Sequence, residues 1–338
     1  MIAALRQAAF VTAIAAVTAI AGCATVMPAD SERIVEIASG RTMSRAQLLA
    51  EIRASDVVLL GELHDNAWHH RLRGELLAEL PPSAAVVVEY LPRGRRIEPG
   101  PDLLGRLTGA GFDARGWRWP LHEPLFRGTL ASGAPVSGGN VPSELARQVA
   151  RQGATALPED LRTLLQSAPL AAPAQADLDA DIVQGHCGSV GALRLDNLRL
   201  AQRMRDASMA AALSAAAGRP AILLAGNAHV RRDYGVPQLL AAIRPGVRLI
   251  SVGMLEEGAT LRDAPYTHVW LTPIAPRDDP CARSAPISGV MQRDDAVERR
   301  SRLGRERIAG VAQVSTGRDV RTYDPRSLHP LRSLDSLQ

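Results

Sequence analysis

The chain has 338 residues, 46% of them hydrophobic and only 3% aromatic, so the core of one large domain or two small ones must be built mainly from Leu, Val and Ala. All 39 basic residues are arginine and the net charge is +4. Eleven arginines against seven acids in residues 282–338 account for that +4, which leaves the remainder close to neutral and excludes a basic patch tracking a nucleic-acid backbone.

Residues 1–22 read as a lipoprotein signal peptide. Arg6 supplies a positive start, and the apolar stretch over 8–21 is too short to span a bilayer comfortably. It ends in Ile20-Ala21-Gly22-Cys23, small residues before a cysteine, which looks like a bacterial lipobox. Cys23 then becomes the mature N-terminus, and its lipid, palmitate included, holds the protein at a membrane. An uncleaved anchor or an ordinary secretory signal are the alternatives. Ala24 in place of Asp points to the outer membrane, facing the periplasm. Residues 23–43 are expected to form a tether, with a strand or turn near 34–41.

From residue 44 to 283 the pattern predicts an α/β domain: a mostly parallel sheet flanked by helices, with a helical middle section. Ser44 is placed to cap a helix over 44–54 whose Leu48, Leu49 and Ile52 share a face. Residues 57–60 are four apolar residues running into Gly61, the mark of a strand buried on both faces, and Glu62, His64 and Asp65 follow at once. Trp68, Leu72, Leu76, Leu77 and Leu80 recur at helical spacing, and His69 and His70 on that helix are expected to face solvent. A second buried strand over 84–88 ends at Glu89. A right-handed strand–helix–strand unit would set His64 and Glu89 at one edge of adjacent parallel strands.

A short helix over 103–115, an aromatic, proline-punctuated loop over 117–125 and a helix over 124–132 follow. Then come a strand over 135–137, a helix over 143–152, broken helices over 157–184 and a long helix over 191–217. Residues 221–225 form another apolar strand, and Gly226-x-x-His229 repeats the spacing of Gly61-x-x-His64. A helix over 236–243 and strands over 247–252 and within 263–271 complete the domain. Residues 284–338 are predicted to be a mostly disordered tail, the apolar run 308–314 excepted.

Two strand-Gly-x-x-His units suggest two histidines in one crevice, where open α/β sheets bind ligands. His64, His229 and Glu89 would suit a divalent metal such as Zn or Mn able to activate water, with Glu89 as the carboxylate of a hydrolase. Alternatively the metal arrives inside a cofactor: haem iron accepts His or Tyr, and Tyr234 follows His229 on a loop near the same edge, with Glu62 beside His64. The plain alternatives are core histidines satisfied by backbone and a loop tyrosine packed under Pro237. His186 adjoins Cys187, and His268 and His329 lie near or in the tail. There is no His-Glu-x-x-His, no Gly-x-Ser-x-Gly, no P-loop and no full dinucleotide fingerprint. Past Cys23 only Cys187 and Cys281 remain, and in an exported chain such a pair invites a disulfide closing a loop of about 90 residues; two free buried thiols are the alternative.

These residues carry a resemblance. Gly61-Glu62-Leu63-His64-Asp65, Glu89 after a strand, Asn140-Val141-Pro142 and His186-Cys187-Gly188 come in that order. Ala201-Gln202-x-x-Arg205-Asp206, Gly226-x-x-His229, Gly235-Val236-Pro237 and Asp279-Pro280-Cys281 follow. The set resembles the ChaN-like haem-binding lipoproteins, in the superfamily that also holds the TIKI and TraB proteins and the erythromycin esterases. The resemblance implies a membrane-anchored haem-binding lipoprotein serving haem or iron uptake and not an enzyme. It also implies haem held by a homodimer with a tyrosine at the iron, a role carried here to Tyr234, and an outer-membrane haem receptor as partner. A metal-dependent periplasmic hydrolase using His64, Glu89 and His229 is the runner-up, and an interaction lipoprotein with a vestigial crevice is the third reading.

Overall fold

The computed structural model describes residues 32–279, 281 and 282. Residues 1–22, read as a signal peptide, Cys23 and the stretch from 284, read as a disordered tail, lie outside the described residues. The chain opens with β1 (Arg33–Glu36), β2 (Thr42–Met43), α1 (Arg45–Ala54), β3 (Val57–Leu60), α2 (Ala67–Ala78) and β4 (Ala85–Pro92). Next come α3 (Leu103–Gly109), α4 (Glu123–Ala131), β5 (Val136–Asn140) and α5 (Ser143–Gln152). A helical section follows: a 3-10 turn (Gly153–Ala156), α6 (Glu159–Ser167), α7 (Ala172–Gly185) and α8 (Ala192–Ala215). The domain closes with β6 (Ala221–Leu224), α9 (Asn227–Val230), α10 (Val236–Ile243), β7 (Leu249–Glu256) and β8 (His268–Thr272).

The strands form one sheet in the order β2-β1-β8-β7-β3-β6-β4-β5. All neighbours from β8 to β5 are parallel, and β1 runs antiparallel to β8 and β2 at one side. The sheet thus reaches into residues 33–43, the stretch read as tether. Alternate strand residues feed two apolar layers, as the pleat requires. Val58, Leu60, Val88 and Leu224 pack with Leu48, Leu72, Leu76 and Phe126 from α1, α2 and α4. Val57, Leu59, Val87 and Leu223 pack with Val149, Met204, Leu213 and Leu239 from α5, α8 and α10. With both faces covered, β3 and β6 are apolar at every position.

Ser44 caps α1 in a reciprocal capping box with Gln47. Asn66 caps α2, accepting from the Trp68 amide. Cys187 and Cys281 form a disulfide, 94 residues apart. Among the described residues, no helix is long and apolar enough to cross a membrane.

Two expectations are corrected. First, β3 and β4 are not neighbours: β6 lies between them and pairs in register with both, Val57 and Ala85 each facing Ala221. Local spacing shows that a strand is buried on both faces, but not which later strand fills the gap beside it. Second, β4 runs on to Pro92, so Glu89 lies within the strand. Its pairing with β6 ends at Val88–Leu224, which leaves Glu89 just beyond the end of β6. In α8, Leu193 is 79% exposed. The buried stretch of α8 instead carries Gln202, Arg203, Arg205, Asp206 and Ser208 among its alanines and methionines.

Candidate functional site

The two strand-Gly-x-x-His units lie side by side. β3 and β6 are parallel and paired from Val57–Ala221 to Leu60–Leu224, so their loops leave the sheet together. Each glycine makes room for the other unit. A Cβ on Gly61 would stand 2.2 Å from Oδ1 of Asn227, and one on Gly226 would stand 2.7 Å from Nε2 of His64. Asn227 in turn fastens its loop to β7, donating to the Met254 carbonyl and accepting from the Met254 amide.

From these loops a line of alternating carboxylates and imidazoles crosses the end of the sheet. Asp206 on α8 holds His229 Nδ1 at 2.6 Å. His229 Nε2 lies 3.2 Å from Glu89 Oε1. Glu89 Oε2 accepts the Gly226 amide at 2.7 Å and sits 3.8 Å from His64 Nε2. His64 Nδ1 meets Glu62 Oε1 at 2.5 Å, and Glu62 also pairs with Arg73 and lies 3.0 Å from His70 Nδ1. His64, Glu89, His229 and Glu62 therefore converge, although β6 separates the strands that carry the first two.

The electrostatics divide the two histidines. Burial would lower the pKa of His229, but the carboxylates of Glu89 and Asp206 outweigh it and raise it to about 10. Burial would likewise raise the Glu89 carboxyl, yet the His229 and His64 charges and the Gly226 amide hold it well below the usual range. His229 is thus an imidazolium between two carboxylates. His64 is the opposite case: burial lowers its pKa, so it is neutral. Its Nδ1 proton lies on Glu62, and Nε2 keeps its lone pair.

A crevice of about 490 Å³ opens onto this line, within the range of small-molecule and cofactor sites. His64, Glu89, Tyr90 and His122 form part of its wall, and Trp117, Leu91, Pro92 and Val141 give it an apolar side. Arg118, Arg147 and Arg205 also line it. Asn140 supports the wall by donating to the Glu89 carbonyl and accepting from the Val141 amide. Trp117 packs edge-on against both His64 and Tyr90, with ring centroids 5.1 and 5.0 Å apart.

Tyr234 stands elsewhere. It is fully buried beside Leu178, Ile182 and Leu198, its hydroxyl donates to Asp181, and the Arg231 guanidinium stacks 4.4 Å over its ring. It is not among the residues lining the crevice.

His69 and His70 do not face solvent; both are fully buried. His69 Nδ1 accepts the Leu63 amide and Nε2 meets Thr272, while His70 Nε2 donates to the His64 carbonyl. Both fasten the Gly61–Asp65 loop to α2. The face of α2 that holds them is polar, so the apolar spacing of that helix does not reveal its burial. Nor is His268 near a tail: it lies buried in β8. Gly74 and Gly128 let α2 and α4 approach backbone to backbone, bringing His70 and His122 within 4.0 Å, ring to ring. Glu62, His70 and His122 have ligand-type atoms within 4.8 Å of one another. The Arg73 guanidinium on Glu62 already supplies the positive charge there. Arg73, His122, Arg205 and Asp206 were given no role in the sequence reading. The usable signal was the run Gln202-x-x-Arg205-Asp206, polar groups spaced on one side of a helix.

Buried neutral histidines carry a testable consequence. Burial lowers His69 and His70 to about 3. Above pH 6.5 both are neutral folded and unfolded, and neither makes stability depend on pH. Below it the unfolded chain takes up protons that the fold refuses, so stability falls by about 1.4 kcal/mol per pH unit for each histidine. Urea unfolding at pH 7.5, 6 and 5 checks this, and His70→Asn should flatten the slope by about one proton.

Comparison with known proteins agrees with this architecture. The profile of a family described as "Haem-binding uptake, Tiki superfamily, ChaN" matches residues 48–240. No curated protein matches the chain at the level of sequence. Among solved structures the chain is similar to one titled "Cofacial heme binding to ChaN of Campylobacter jejuni", with a TM-score of 0.57 and 18% identity. The match covers 72% of this chain and 97% of that one, and at this identity it shows the shared fold. With the profile spanning more than half of its length, the chain belongs to the haem-binding uptake family of the Tiki superfamily, ChaN.

Proposed function

We propose that the protein binds haem in the crevice at the end of the sheet, with His64 as the side chain that meets the iron. The observation that carries this is the state of His64. Its Nδ1 proton is held by the Glu62 carboxylate, and its neutral ring lines the crevice with the Nε2 lone pair unused. A carboxylate behind a ligating imidazole sets the tautomer and strengthens the ligand. The apolar side formed by Trp117, Leu91, Pro92 and Val141 suits a flat macrocycle. When bound, haem would supply an iron centre; this chain's part is to hold it, keep water from one face and keep His64 oriented. Neither the geometry of Tyr234 nor that of His229 recommends it as a ligand.

Adding haemin to the purified protein should shift the Soret band. His64→Ala should weaken binding by more than the roughly 10- to 100-fold typical of losing an outer partner of a metal ligand. Tyr234→Phe should leave the spectrum as it is. An unshifted Soret band in the wild type would end the haem reading, and a wild-type spectrum in His64→Ala would move the iron to another ligand.

The wider setting is also our proposal: a chain lipidated at Cys23, held at the outer membrane facing the periplasm, dimerising around haem and serving an outer-membrane haem receptor. The Cys187–Cys281 disulfide supports an oxidising compartment. Incorporation of labelled palmitate that disappears in Cys23→Ser tests the anchor, and sedimentation with and without haemin tests the dimer.

A further inference from the structure

We infer that the α5 end of the crevice is an oxyanion-binding subsite, in which Arg205 and the first turn of α5 take the carboxylate or phosphate of a small acidic ligand. The inference does not depend on haem binding.

Arg205 enters from α8, is 4% exposed, and lines the crevice. Its Nε has no hydrogen-bond partner among the described residues. Glu89 and Asp206 act on it through space, and burial works against its charge. Both of those carboxylates share His229 as their nearer counter-ion. A buried guanidinium without a hydrogen bond is costly, and a carboxylate or phosphate offers the paired acceptors that it lacks.

The second element is independent. α5 is ten residues long, and its N-cap is Pro142, which offers no side-chain acceptor; no side chain caps the helix. Its leading amides and the positive end of its dipole therefore remain for an anion. Pro142 and Ser143 line the same crevice as Arg205. The acidic residues near the subsite are engaged: Glu89 holds the Gly226 amide and His229, Asp65 holds Arg277, Asp113 accepts the amides of Arg115 and Gly116, and Glu144 in the first turn of α5 pairs with Arg147 and Arg151.

The purified chain without haem is titrated with potassium phosphate and, separately, with potassium acetate, by calorimetry and by tryptophan fluorescence, Trp117 being on the crevice wall. Saturable binding of one or both is expected, and the anion that saturates tells phosphate from carboxylate. Arg205→Gln should weaken it on the order of tenfold. Ser143→Pro removes one amide at a helix position that accommodates proline, and should weaken it several-fold; it also serves if Arg205→Gln does not fold. Loss in Arg205→Gln alone would remove α5 from the subsite. The inference is overturned if neither anion binds saturably, or if both variants bind as the wild type does.

Discussion

Replacing Glu89 with leucine should lower the unfolding free energy by about 3–5 kcal/mol, the cost of breaking a buried charge pair from one side. Leucine fills much of the same space but leaves the His229 imidazolium with Asp206 alone and the Gly226 amide without its acceptor. Glu89→Gln should cost less, because an amide oxygen can still accept from Gly226. The two variants also separate stability from proton balance. His229 is raised to about 10, so its contribution is fully present below pH 6.5 and is lost as pH rises through 10. Without Glu89 that pKa drops, and the alkaline loss of stability begins at lower pH. Urea unfolding at pH 7 and 9, with an NMR titration of the His229 ring, measures both. A Glu89→Leu protein as stable as the wild type would mean that the line of carboxylates and imidazoles is not a coupled unit.

The disulfide carries an effect of similar size by a different route. Joining residues 94 apart removes loop-closure freedom from the unfolded chain, about 4–5 kcal/mol in the entropic treatment. Cys187 follows α7, and Cys281 follows the segment in which Arg277 pairs with Asp65 and Glu256. The bridge thus ties the helical section to the strap that closes the Gly61–Asp65 loop. Cys187→Ser with Cys281→Ser should lower the urea midpoint by an amount matching that free energy, and reduction of the wild type should reproduce it. A double variant within about 1 kcal/mol of the wild type would show that native strain offsets the entropy.

The sequence by itself determined most of the elements and the two repeated units. Four apolar residues ending in glycine can hardly be anything but a strand buried on both faces, and the His three residues beyond the glycine follows it out of the sheet. The cap at Ser44 was legible because capping is local. The convergence of His64, Glu89 and His229 could be expected because parallel strands deliver their ends to one edge.

What only the tertiary structure decided was which groups stand next to one another and in what state. Nothing in local spacing puts β6 between β3 and β4, or turns His69 and His70 inward on a helix face that is polar. Glu89 and Asp206, the latter 23 residues before His229, make that histidine a cation, whereas burial keeps the His64 ring neutral and Glu62, two residues before it, takes up Nδ1 and leaves Nε2 free. Two identical spacings therefore yield two different imidazoles. The reason is physical: periodicity reports burial, but protonation depends on the dielectric and on the nearest charges, and those arrive from α2, α8 and β4 only when the chain has folded.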